Sequence, residues 1–573
     1  MKTSTKHILA IAVSFIYMVA IYFFVGICYS INDDRFMGEL LSGAITGNIE
    51  SHLVYVNYLL SLPLSLLYRI STSMPWFGIM LLFFHTLSCY FILDSFYSKI
   101  KTKSGILFCT LLVGILFLSQ LYLVSQISYT ITAAFMAVSG CVCLLLNENK
   151  KVGYSYFFVL ELLAYLLRDK GMLMILPLGI AVFCGILLAD TKISFKNFKD
   201  KAIIFSKVLG IVISILIIGF LGNTLGYHNE TWQTYQSYNE ARTTLYDFTG
   251  FPPYEEVSNI LDKYDVKETD YKAYSEYTIL DYKLSQECII ELAQYAENNM
   301  TSPTLGTLLE SYKIKTIWDP YWKTNYLMLT AWISTIIFLL LSGNYSGMIS
   351  AFFLMGARTV IWLYLLYSGR FPHRISMPLL ACEILLLITL AFYFYTKKSE
   401  YKKWQNLSFI VLFIFVSLVG LWSFKLQLND LKINNDNQSA YMQTFRQVLD
   451  YCNENTDNTY ILDTLSFTGY NAEALDGSIY GTRNCVMSAT WFSNSPSMAK
   501  KNLSYLGNCE NGFYYILRST SDESDDELNN STVKYLASES FSTPQMVDSI
   551  HCEFGITYSV IYFDKPLNLY MNP

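Results

Sequence analysis

A polytopic α-helical membrane protein with a small external α/β domain is the fold class this chain predicts, on three observations. Of its 573 residues 53% are apolar and 15% charged, whereas ordinary soluble domains carry about 25% charge. Mean hydropathy is +0.32. The apolar residues gather into runs of about 20, the length a bilayer-crossing helix needs. Soluble domains built from this composition would lack the charge to cover their surfaces. A net charge of −6 leaves no basic footprint for nucleic acid. The composition also excludes disordered, collagenous and small disulfide-scaffold chains.

The predicted spans, eleven in all, lie at 8–28, 76–96, 106–122, 127–146, 152–167, 171–189, 203–222, 326–342, 347–367, 375–395 and 406–424. No small-residue cleavage site follows the first; Cys28-Tyr29-Ser30 runs on into a polar loop, so it reads as a span and not as a removed signal. Lysines in the short loops orient the chain. Lys2, Lys6, Lys99, Lys101, Lys103, Lys150, Lys151 and Lys397 to Lys403 share one side when the N-terminus is cytoplasmic. The long loops 29–75 and 223–325 and the C-terminal 426–573 then fall outside. The hydrophilic stretches 223–325 and 425–573 together carry −17 and the rest of the chain +11. The short external loops hold arginine where positive-inside sorting disfavours it: Arg35, Arg69, Arg168, Arg370 and Arg374. Arginine's planar donor fork suits phosphate, while single interfacial arginines also anchor helices to headgroups.

The first external loop opens Asn32-Asp33-Asp34-Arg35-Phe36-Met37-Gly38. Two carboxylates just beyond a span must be solvated, paired or metal-bound, and Asn32 or Asp33 can cap a helix beginning near Arg35. The apolar 52–70, broken by Pro63, predicts an interfacial helix and no full span. A first span, a long first external loop opening on an Asp pair, interfacial helices and many further spans resemble the GT-C superfamily of membrane glycosyltransferases. The shape Asn-Asp-Asp-x-x-Met…Ser-Gly-x-x-x-Gly over Asn32 to Gly47 is similar to bacterial membrane proteins associated with surface-polysaccharide assembly. The resemblance covers roughly 1–425. It implies a sugar donor linked to polyprenyl phosphate, a glycan or lipid-linked acceptor, a catalytic acid in that loop and a place in the bacterial cytoplasmic membrane.

The residues support this chemistry. Asp33 or Asp34 can take the proton from an acceptor hydroxyl, Asp34 being the weaker candidate because Arg35 can neutralise it. Arg168, Arg370, Arg374 and His373 can hold the departing phosphate. Arg35, Trp232, Asn239 and Arg242 are candidate substrate contacts. The stretch from Tyr238 to Phe248 reads equally as a sugar-binding surface or an exposed helix with Glu240–Arg242–Asp247 ion pairs. Paired Asp would suit Mg²⁺ or Mn²⁺, though a general-base mechanism requires neither and no residue spacing marks a metal site. Arg358, Glu161 and Glu383 fall within spans, so Arg358 is expected to pair with one of the glutamates.

Beyond a polar linker at 426–440, a helix at 441–453, strands at 460–462, 513–517 and 558–563, and helices near 496–505 and 531–540 predict the α/β domain over 426–573. Cys452, Cys485, Cys509 and Cys552 could form two disulfides there. The function expected is therefore sugar transfer on the external face. The alternatives are a lipid-linked-glycan transporter or polymerase-like protein without donor chemistry, and a non-catalytic receptor.

Overall fold

The computed structural model describes residues 3–189, 195–280, 284–318, 325–398, 400–467, 473–477, 484–506, 509, 511–519 and 527–567. Residues 522–526 of the acidic run expected as a solvated loop lie outside them. The chain is mostly helical. From the N-terminus run α1 (Thr3–Phe24), β1 (Cys28–Tyr29), α2 (Asn32–Ser42), α3 (Tyr58–Ile70), α4 (Trp76–Ser98), α5 (Lys103–Leu118), α6 (Leu121–Ser125), β2 (Gln126–Ile127), α7 (Tyr129–Leu146), α8 (Lys150–Leu167), α9 (Asp169–Ala189) and α10 (Phe195–Gly226). Five helices follow outside the bundle: α11 (Glu230–Thr243), α12 (Tyr254–Lys263), α13 (Glu268–Ser275), α14 (Gln286–Asn299) and α15 (Leu305–Lys313). The bundle resumes with α16 (Asn325–Ser342), α17 (Gly347–Tyr367), α18 (His373–Lys397) and α19 (Lys403–Glu454).

All the predicted spans coincide with helices, and among the described residues 8 are long and apolar enough to cross a membrane. Of the others, α5 is shorter, with 16 residues, and α8 carries Lys150, Lys151 and Glu161 within its 18 residues. The most enclosed is α7, with every residue buried, so it forms the bundle's axis. Arg358 Nε lies 2.6 Å from Glu383 Oε1, joining α17 to α18 as a buried pair, as its cost in isolation requires.

The expected linker at 426–440 is corrected: it is the middle of α19, one helix of 52 residues, roughly 78 Å at 1.5 Å per residue. Its amide side chains find distant backbone partners. Gln427 Nε2 donates to Ser119 O at 2.7 Å, and Asn435 Nδ2 to Val25 O at 3.0 Å. Polar residues that read as a loop are thus a buried seam. The boundary expected at 425/426 falls inside this helix.

After α19 come β3 (Tyr460–Leu462), α20 (Thr464–Phe467), β4 (Cys485–Met487), α21 (Pro496–Leu506), β5 (Phe513–Arg518), α22 (Ser531–Ser540), β6 (Gln545–His551) and β7 (Thr557–Phe563). The sheet runs β4-β3-β5-β7-β6, parallel among the first three and antiparallel beyond. Strand alternation gives it two apolar faces. Tyr460, Leu462, Ile516, Tyr558 and Val560 join the same core as the bundle, while Ile461, Phe513, Tyr515, Ile561 and Phe563 pack with α22 in a core of their own.

The expected disulfides are also corrected, since all twelve cysteines are free. Cys509 and Cys552 donate their thiols to the carbonyls of Leu506 and Thr444. Helices α11 to α14 share a tyrosine-rich core of Tyr227, Tyr235, Tyr238, Tyr271 and Tyr274.

Candidate active site

The first loop positions its acids through helix-end chemistry. β1 pairs in parallel with β2, Cys28 opposite Gln126, which brings the start of α2 against the start of α7. Asp33 and Asp34 both fall in the first turn of α2, where the helix dipole favours carboxylates. The cap expected at Asn32 or Asp33 is at neither: the capping position is Ile31, with no side-chain cap bond. α2 ends at Gly43 with φ 80°, a left-handed turn that glycine adopts without strain.

The two aspartates then separate. Asp34 is fully buried, and its Oδ1 accepts the Tyr129 backbone N–H at 2.8 Å. That N–H belongs to the first turn of α7, one of the donors every helix leaves without an internal partner. Burial pushes the Asp34 carboxyl pKa well above the ordinary range, and the Tyr129 N–H opposes it. Asp33 instead lines a cavity of about 720 Å³. Burial raises its pKa, while Arg374 and Arg242 pull it back, Asp247 adds to the rise and Arg168 lowers it.

Four arginines reach this cavity from separate elements. Arg168 closes α8, and its guanidinium lies 5.1 Å from the Tyr55 ring and 5.3 Å from the Tyr129 ring, held by cation–π contact. Gly171, in the next turn, lets α9 approach the carbonyl of Thr130. Arg370 and Arg374 flank the α17–α18 turn, which Gly369 opens with φ 72°, and Arg370 pairs with Asp247. Arg242 comes from α11, with Nε and Nη2 both donating to Asn239 Oδ1 at 3.2 and 3.1 Å.

Five cations, these four and Lys170, thus line the cavity against two carboxylates, Asp33 and Asp247. Arg242 is buried, Arg168, Arg370 and Arg374 are half-buried and Lys170 is exposed, a surplus of positive charge that suits an anion. Near the arginines the wall is apolar, with Leu173 from α9 and Ile361, Tyr364 and Leu365 from α17. Leu173 and Tyr364 stand 44% and 68% exposed, so the cavity opens on the flank of the bundle between α9 and α17. At the far end the same two helices touch where Gly185 meets Ser350.

The other candidates lie elsewhere. Arg35 does not line this cavity. It sits 4% exposed beneath the C-terminal sheet, 3.5 Å from Glu39 and over the ring of Phe445. Trp232 stacks on His52 at 4.3 Å and fastens α11 to the first loop. His373 is exposed at the start of α18. Asn239 serves through Arg242, and the exposed ion-pair helix considered for this stretch is excluded by the burial of both residues.

Sequence reasoning missed Tyr55, Asp247 as the Arg370 partner, and Thr490 and Trp491 from the C-terminal domain, all lining the cavity. Only Asp247 carried a signal, its place in the polar–aromatic stretch after α11. Among the described residues no group of three or more His, Cys, Asp or Glu could hold a metal ion. Asp33 and Asp34 diverge, so these two neighbours do not face one cation together.

No protein-family model and no curated protein matches the chain. Among solved structures, the crystal structure of ArnT from Cupriavidus metallidurans bound to undecaprenyl phosphate is similar, with a TM-score of 0.39 at 10% identity over 96% of this chain and 97% of that one.

Proposed function

We propose that this protein is a membrane glycosyltransferase of the GT-C type, taking a sugar from a polyprenyl-phosphate donor and passing it to a glycan or lipid-linked acceptor on the external face. The observation that carries the reading is the convergence of Asp33 and four arginines on one cavity that also opens on the lipid-facing flank of the bundle. The polyprenyl chain lies along the α9–α17 flank and its phosphate sits among Arg168, Arg242, Arg370 and Arg374. Asp33 takes the proton of the acceptor hydroxyl as that oxygen bonds to the anomeric carbon. The bond between this carbon and the phosphate oxygen breaks, and its electron pair leaves with the phosphate, whose added charge the arginines stabilise. The raised proton affinity of Asp33 suits a base, and the nearby arginines favour its ionised form. Asp34 positions α2 against α7. The scheme uses no metal.

Asp33→Asn tests the reading. It is expected to lower transfer by about 10²- to 10⁴-fold while purified protein still binds undecaprenyl phosphate, and Asp34→Asn is expected to act mainly on stability. Transfer undiminished by Asp33→Asn would remove Asp33 as the base. Absence of transfer from any polyprenyl-phosphate sugar, with retained phosphate-lipid binding, would favour a transporter.

A further inference from the structure

Part of the cavity wall comes from the C-terminal domain. Thr464 and Leu465 follow β3 after Asp463, whose carboxylate accepts from Tyr515 and Ser466 and does not line the cavity, and Ala489, Thr490 and Trp491 follow β4 after Ser488. These two strands are parallel neighbours, so their carboxyl ends open side by side into the cavity, the edge at which α/β sheets hold ligands. Trp491 is 7% exposed, its ring lies 5.1 Å from that of Tyr55, and its indole Nε1 has no hydrogen-bond partner. Its carbonyl is fixed by the hydroxyl of Tyr235, and Thr464 Oγ1 ties the two strand ends by donating to Ala489 O at 2.6 Å. The platform is therefore held rigidly from two sides.

We propose that this strand-end platform is the acceptor subsite and that it takes an uncharged saccharide. The assignment rests on the transferase reading above. Its basis is the contrast between the walls: among the described lining residues every cation belongs to the bundle or to α11, and the strand-end wall carries no charged side chain. A charged acceptor would be desolvated there without a counter-ion. Aromatic faces beside hydroxyl groups instead match a sugar, which is apolar on its C–H faces and polar at its rim. Such a ligand would share the cavity with Asp33.

The test uses full-length protein in lipid nanodiscs, with a panel of neutral methyl glycosides and methyl N-acetylglycosides as probes. Binding is read by saturation-transfer NMR, and undecaprenyl phosphate binding is measured on the same samples. Wild-type protein is expected to saturate at least one glycoside. Trp491→Phe and, independently, Thr490→Val should weaken that signal about tenfold with undecaprenyl phosphate binding unchanged. Arg374→Ala should do the reverse. Because the indole N–H bonds nothing in the protein, Trp491→Phe removes no internal hydrogen bond, and Thr490→Val gives a second route if packing suffers. Glycoside signals unaffected by both variants, or no glycoside bound by a wild-type protein that binds undecaprenyl phosphate, would overturn the subsite. Failure to bind undecaprenyl phosphate at all would instead overturn the transferase reading.

Discussion

The arginine wall and the strand-end wall meet across one cavity but are held by different means. Three of the four arginines have local supports: two tyrosine rings for Arg168, Asn239 and Tyr246 for Arg242, and Asp247 and Phe248 for Arg370. The strand-end wall is fixed at a distance by charge buried beneath the sheet. There Glu39 lies beside Arg35 and near Lys501, and Lys501 donates to Ile45 O at 2.6 Å. Backbones also meet, since any side chain at Gly78 would strike the carbonyl of Ala474 and one at Gly477 that of Ser73. The arginines can therefore be exchanged singly. The C-terminal domain is joined to α2 and α4 as closely as one part of a core to another, and does not behave as a mobile lid.

The comparison breaks most readily at Glu39. Glu39→Leu leaves Arg35 and Lys501 buried without their anion, a loss of about 3–5 kcal/mol. Calorimetry of the purified protein should show a large fall in Tm, and an unchanged Tm would mean that the wall is held some other way. A pH series sharpens the same point. Burial lowers the Lys501 pKa to about 8 from 10.5, so between these values the unfolded chain binds more protons and stability rises with pH. The full rise is on the order of 3 kcal/mol at about 1.4 kcal/mol per pH unit, and Lys501→Met should flatten it. On the arginine side the effect is smaller and falls on binding. Arg374→Ala should weaken undecaprenyl phosphate binding by about 1.5–3 kcal/mol with Tm nearly unchanged. A large fall in Tm would make Arg374 part of the scaffold.

The membrane helices were legible because burial in lipid writes itself into long apolar runs. The arginines were legible because they stand against the sorting of charge across a membrane. What escaped depended on partners far along the chain. Asp33 and Asp34 are indistinguishable as neighbours; the Tyr129 N–H, from a helix nearly a hundred residues on, gives one a structural task and leaves the other in the cavity. Arg35 shares the same turn, yet Met442 and Phe445 claim it from α19. Gln427 and Asn435 read as linker because the carbonyls they serve belong to the first 120 residues. Trp491 follows a three-residue strand with no motif around it, so nothing in its local sequence tied it to Asp33.

The shared core of the bundle and sheet bears on how the protein is made. Arg35 and Glu39 emerge from synthesis about 400 residues before the residues that cover them, Met442, Phe445 and Lys501. Until α19 has been threaded and the sheet has closed, the first loop holds uncovered charge and the cavity lacks a wall. A chain that stalls, or is cut within α19, would leave Asp33 and the arginines without the strand-end wall.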